Sequence, residues 1–151
     1  MTAPVVSWYN ADNTEPVSSW EIGIVDAGKT SEPTTFLIWN NRGGEEDVSD
    51  MQDCQITTTD NAGDQMDIVK NKWVECKVDS IDGDTFQPIG GEVAKEIRAA
   101  GQESGIIKGT ANSGDDTDTE NYAKVTLRVT PPLNSPAGER NFKVRVTYYY
   151  T

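Results

Sequence analysis

Histidine is absent from the chain, cysteine occurs only twice, and no hydrophobic run approaches the length of a membrane span. Without histidine no ordinary side chain titrates near neutrality to act as general base, and neither a Ser–His nor a Cys–His nucleophile pair can be built. Cys54 and Cys76 stand 22 positions apart. With no imidazole beside them they suit a zinc site poorly. They read as two reduced core thiols, with a bridge between neighbouring strands as the alternative. A spanning helix needs about 20 apolar residues, so no membrane insertion is expected. The opening MTAPVVSWYN has neither a basic region nor an apolar core, so no signal peptide is expected. That points to a product made in the cytoplasm and released by assembly or lysis. Cations are scarce over most of the chain: residues 1–120 hold 8 Lys/Arg against 24 Asp/Glu. So acidic a body argues against nucleic acid as a partner, because phosphate contacts need clustered cations.

What is present is β-type patterning. Residues 4–9 suit a first short strand. Residues 20–25 alternate Trp20, Ile22 and Ile24 with Glu21, Gly23 and Val25, and a polar turn then leads to a β-branched and aromatic run over 35–39. The two are expected to form a hairpin. Residues 54–59 and 72–81 are further strands, followed by the turn signal Asp82-Gly83-Asp84. A strand over 85–89 would lie at a sheet edge because it contains Pro88. Residues 48–52 read as a helical turn or irregular chain. Residues 91–101 favour a short helix or loop, with an edge strand carrying one inward charge as the alternative. Residues 104–110 read as a strand. Two strongly alternating strands, 122–130 and 142–150, close the chain around a proline-rich connection, and they are expected to pair. The sum is one domain over 1–151, an all-β antiparallel sandwich of about eight or nine strands with at most one short helix.

Ile22, Gly23, Ile24 and Val25, then Gly28 and Thr30, then Phe36, Ile38 and Asn40 form a short pattern. It resembles the opening of immunoglobulin-like domains of the ASPM/SPD-2/hydin type. The final strand, connection and aromatic-rich last strand resemble the closing hairpin of many bacterial and phage immunoglobulin-like modules. The resemblance implies an immunoglobulin-like sandwich of the sort found in bacteriophage structural proteins. It brings no catalytic residue and no cofactor.

Asp115, Asp116, Asp118 and Glu120 offer hard oxygen ligands of the kind calcium takes, without the sixth-position glycine or twelfth-position glutamate of an EF-hand loop. A solvated acidic loop is the plainer reading, and no metal is expected. Carboxylate pairs of the kind used in glycoside hydrolysis carry no weight in a chain with 25 Asp/Glu, and no enzymatic activity is expected. Trp39 and Trp73 fall on the polar sides of their strands by alternation. With Trp8 and Trp20 they make four tryptophans that suit a partner contact or a sugar-stacking platform, unless a loop or another subunit covers them. Residues 121–151 reverse the charge balance, with 5 Lys/Arg against 1 Asp/Glu. Lys124, Arg128, Lys143 and Arg145 would then line the outer face of one hairpin, with Tyr149 beside them. An ordinary solvated strand face is the competing reading.

These features lead to the expectation of a virion component made in a bacterial host. It would be a surface or decoration protein docked on a lattice of capsid, tail or baseplate subunits, with homo-oligomerisation left open. A carbohydrate- or cell-surface-binding module is the alternative.

Overall fold

The computed structural model describes residues 1–81 and 85–151, so the expected turn at Asp82-Gly83-Asp84 lies outside the described residues. Eight strands occur among the described residues. They are β1 (Val6–Asn10), β2 (Thr34–Asn40), β3 (Gln52–Thr59), β4 (Val74–Val78), β5 (Gln87–Ile89), β6 (Lys95–Glu96), β7 (Tyr122–Val129) and β8 (Lys143–Tyr149). One four-residue helix, α1 (Asp67–Lys70), and two 3-10 turns interrupt them. The strands form a five-stranded sheet in the order β1-β2-β7-β4-β5 and a three-stranded sheet in the order β6-β3-β8, and every pairing is antiparallel. The protein is an all-β antiparallel sandwich.

Alternation builds the core. Val74, Cys76 and Val78 from β4 and Ala123, Val125, Leu127 and Val129 from β7 turn inward to meet Cys54 and Ile56 of β3. Burying side chains of this size stabilises by about 1.5–3 kcal/mol each. Asn40 is one of several polar residues buried in the interior, with Thr58 and Asn121 among the others. The Asn40 amide donates to the Ser49 carbonyl at 3.0 Å and its oxygen accepts the Val5 N–H at 3.0 Å, so a buried amide costs little. Cys54 and Cys76 are free, buried, and placed on different sheets, and burial pushes both thiols up to about 12.

Several expectations are corrected. Residues 20–25 do not form a strand, although their alternation is strand-like. The segment they were expected to pair with is β2, and β2 already has β1 on one edge and β7 on the other. Segments 122–130 and 142–150 do not pair with each other. β7 is likewise flanked on both edges, by β2 and β4, so the proline-rich connection carries the chain across to the opposite sheet, where β8 pairs with β3. Residues 104–110 form no strand. They run beside residues 48–54 through a single bridge, Met51 to Ile107, with Gly105 at φ +74° and Gly109 packed on the Val48 carbonyl. Residues 91–101 are not helical. They contain β6, an edge strand with one inward charge: Lys95 stands opposite Ile56 and reaches across to Gln87 on β5, Nζ to Oε1 2.9 Å. The short helix falls instead at α1. Pro88 does sit on an edge strand, β5.

Candidate functional site

The two flanks of the sandwich differ. One is tied across by Lys95 and Gln87. At the other, β1 ends the large sheet, β8 ends the small one, and each has a partner on one side only. Inward residues of β3 are sealed, with Cys54 and Ile56 fully buried, whereas Val144, Val146 and Tyr148 of β8 are half-buried. Residues 17–27 cross this flank without forming a strand, through a bend at Ser18 and a left-handed Gly23 at φ +79°. Over residues 18–25 no backbone group hydrogen-bonds to another described residue. Trp20 anchors the crossing: its indole N–H donates to Thr34 Oγ1 at 3.2 Å, and its ring meets Phe36 and Phe142 edge-on at 6.2 and 6.0 Å. Trp8 packs edge-on against Phe36 at 5.9 Å.

Clefts open on either side of the Trp20–Phe142 contact. One of about 630 Å³ is floored by Trp8, Phe36 and Val144. The other, of about 780 Å³, lies between residues 20–27 and 135–142 and reaches Trp73. Large apolar side chains remain exposed around this region, notably Ile24 at 97% and Leu133 at 84%. Leu133 lies over Gly28, whose N–H bonds the Pro131 carbonyl. At the floor of the larger cleft Arg140 holds Asp67 through two bonds, Nε–Oδ1 2.7 Å and Nη2–Oδ2 2.9 Å. Its guanidinium lies 4.6 Å from the centre of the Trp73 ring. Those hydrogen bonds hold the Asp67 carboxyl below its ordinary value.

The residues picked from sequence are dispersed rather than gathered. Lys124 and Arg128 point outward from the large sheet, and Lys143 and Arg145 point outward from the small one, so the four do not share a face. Arg128 is committed to Glu75 at 2.9 Å and to the Phe86 ring at 3.8 Å. Lys143, Arg145 and Tyr149 do stand together on β8, exposed at its open edge. Asp64, held below its ordinary value chiefly by the Thr59 hydroxyl, also feels the Arg145 charge.

Trp39 is fully buried. It does point away from the core, but Asn13 accepts its indole N–H at 3.0 Å, the Tyr122 ring packs tilted against it at 4.7 Å, and Arg42 covers it. Cover by a loop, the alternative weighed for these tryptophans, is what holds for Trp39. Trp73 is 5% exposed and belongs to the core. Alternation misplaces it because β4 begins only at Val74, after Lys72 takes a left-handed turn at φ 56°. No exposed tryptophan platform is formed by this pair.

The acidic loop is engaged with itself. Asp118 accepts from the Ser113 hydroxyl at 2.7 Å, Asp115 from the Thr117 N–H at 3.1 Å, and Glu120 from the Thr110 hydroxyl at 2.9 Å. Asp115 is held low, first by that backbone bond, while its contact with Asp116 pushes Asp116 up. Among the described residues no three acidic, histidine or cysteine side chains are placed to share a metal ion.

Trp8 and Trp20 stand among the four tryptophans read from the sequence as a contact or stacking surface, whereas Phe142, Ile24 and Leu133 went unmarked as site residues. Their signal was present only as apolar positions in strand-like runs. Which of those runs would lack a neighbour depends on the topology. No protein-family model matches the chain, and no curated protein matches it in sequence.

Proposed function

We propose that the chain is a structural component of a bacteriophage or phage-like particle, a surface or decoration module docked on a lattice of capsid, tail or baseplate subunits. What carries this reading is the open flank: half-exposed aromatic and aliphatic side chains beside a strand whose outward charges are basic, on a chain with a net charge of −12. An isolated domain gains by sealing such a flank, so apolar surface left open beside unpaired strand edges suits a module that is completed by a neighbour. The immunoglobulin-like resemblance supplies the setting, since particles of this kind carry many such modules. In this reading the protein performs no reaction, and it is made in the bacterial cytoplasm and ends in the virion. The carbohydrate-binding alternative has lost the exposed Trp39 and Trp73 that motivated it.

The test is incorporation of the Lys143→Glu, Arg145→Glu double variant into particles. Both side chains are exposed, so the isolated domain keeps its fold. Incorporation is expected to fall, more at low salt than at high salt, because attraction between exposed charges is screened. Incorporation equal to that of the parent at every salt concentration would remove β8 from the docking surface.

A further inference from the structure

The open flank lacks one thing a sandwich flank normally has, a strand. β8 has β3 along one edge, and along the other its seven residues have no backbone partner among the described residues. Residues 18–21 face Lys143 and Val144 of β8 across the smaller cleft, and over residues 18–25 the backbone groups are likewise unpaired among the described residues. Between the two lies the opening of about 630 Å³, floored by Trp8, Phe36 and Phe142. An unpaired strand edge is a template for another strand, and alternate side chains of the added strand would drop into such a pocket.

We infer that an extended segment of an acidic partner protein adds to the free edge of β8 as a fourth strand of the small sheet. This rests on the docking role proposed above and names its chemistry. Inward residues of the added segment would be apolar, covering Val144 and Val146 and entering the cleft over Trp8, Phe36 and Phe142. Outward residues would lie beside Lys143 and Arg145, and no carboxylate occurs in this chain after Glu139 to answer them. Neither side chain makes an ion pair or hydrogen bond among the described residues, although Asp64 lies near enough to feel Arg145. Acidic residues at alternate positions of the partner are therefore the complement, since opposite charges across a strand pair stabilise and like charges oppose.

The same rule argues against a second copy of this chain as the occupant. Pairing β8 with β8 would put two sets of Lys143 and Arg145 on one face, and each copy brings a net charge of −12 to the encounter. The far wall is different in sign: Glu21 and Asp26 are exposed on the crossing segment. The partner's acidic row is thus confined to the side of β8.

Two synthetic peptides of seven residues, the length of β8, test this on the intact chain: one alternates valine with glutamate, the other valine with lysine. Amide hydrogen exchange is read residue by residue over 143–149. At about ten times its Kd, the glutamate peptide is expected to slow exchange at the free-edge amides of β8 by about tenfold, with the lysine peptide far weaker. In Lys143→Glu, Arg145→Glu the preference reverses. The inference is overturned if neither peptide slows exchange in β8, or if both protect equally in parent and variant. It is also overturned if protection rises with protein concentration alone, which would make a second copy the occupant. Particle incorporation is a separate readout. A variant that switches peptide preference yet still incorporates normally would spare the strand-addition site and sink the docking role.

Discussion

Arg140 grips Asp67 with two near-parallel hydrogen bonds of 2.7 and 2.9 Å while its guanidinium lies over Trp73. Two further bonds, to the Gly138 and Pro136 carbonyls at 2.9 and 2.6 Å, bring four of its five donors into use. One side chain thus fixes the connection between β7 and β8 onto α1 and roofs a core tryptophan.

Arg140→Ala is therefore expected to destabilise the fold by about 2 kcal/mol, in the range for charge-assisted bonds. Arg140→Lys should recover only part of this, because an ammonium cannot make the two-point contact. Urea unfolding of the two variants and of Asp67→Asn, combined in a double-mutant cycle, checks the coupling.

The same pair sets an acid dependence. The Asp67 carboxyl lies below its ordinary value in the folded chain, through Arg140, and so does Asp64, chiefly through Thr59. A carboxyl depressed on folding adds stability above its unfolded pKa of about 4, and that stability is lost as pH falls through the lower folded value. The stability gap between parent and Asp67→Asn should therefore be constant from neutrality down to about pH 5 and close below about pH 4. Melting curves across that window measure it. A gap that persists unchanged at pH 2 would mean that packing, not charge, holds this contact.

At the thiols the sign runs the other way. Cys54 and Cys76 are raised to about 12 by burial. A group raised on folding contributes stability that is whole below its unfolded pKa of about 8.5 and is lost as pH climbs toward the folded value. Both cysteines should resist a thiol-specific reagent at neutral pH and titrate together on unfolding in denaturant. Stability should fall above about pH 9, and less steeply in Cys54→Ala. Rapid labelling of either thiol in the folded chain would contradict their burial.

Gly109 has no room for a side chain, since a Cβ there would stand 2.3 Å from the Val48 carbonyl oxygen and 2.6 Å from that of Ser49. Gly109→Ala should cost about 1–3 kcal/mol through displaced backbone and should loosen the bonds from the Asn41 amide to the Gly109 carbonyl and from Val48 N–H to the same oxygen. Thermal melting with exchange at Val48 reads both effects.

Most strands were legible because alternation reports which side chains turn inward, and it placed the inward sets of β4, β7 and β8 correctly. It is silent on who sits beside whom. Residues 20–25 carry as good a period as β8, yet only β8 found a neighbour, because every edge of β2 and β7 was already taken. Alternation also presumes that the chain is in a strand. Trp73 stands one residue outside β4 and is buried against expectation. Trp39 points outward as its position requires, but residues 11–16 and 112–118 fold back toward it, with Asn13 donating to the Gly114 carbonyl at 2.9 Å. That cover comes from segments some hundred positions apart, which no local pattern reports. The charges were placed on the right sides of their strands and the wrong sides of the molecule, because their pairing was misread.

The position of β7 also dictates an order of assembly. Among the described strands it alone joins the β1–β2 pair to the β4–β5 pair, with Thr34 meeting Leu127 on one side and Val74 meeting Val129 on the other. Until residue 129 has left the ribosome, the large sheet exists only as two separate pairs with bare inner edges. Pairing across so many intervening residues is slow, on the scale of milliseconds to seconds for domains of this class. The nascent chain is thus most prone to stray strand pairing just before residues 122–129 emerge. Its heavily acidic first 120 residues would hold such chains apart by mutual repulsion during that interval.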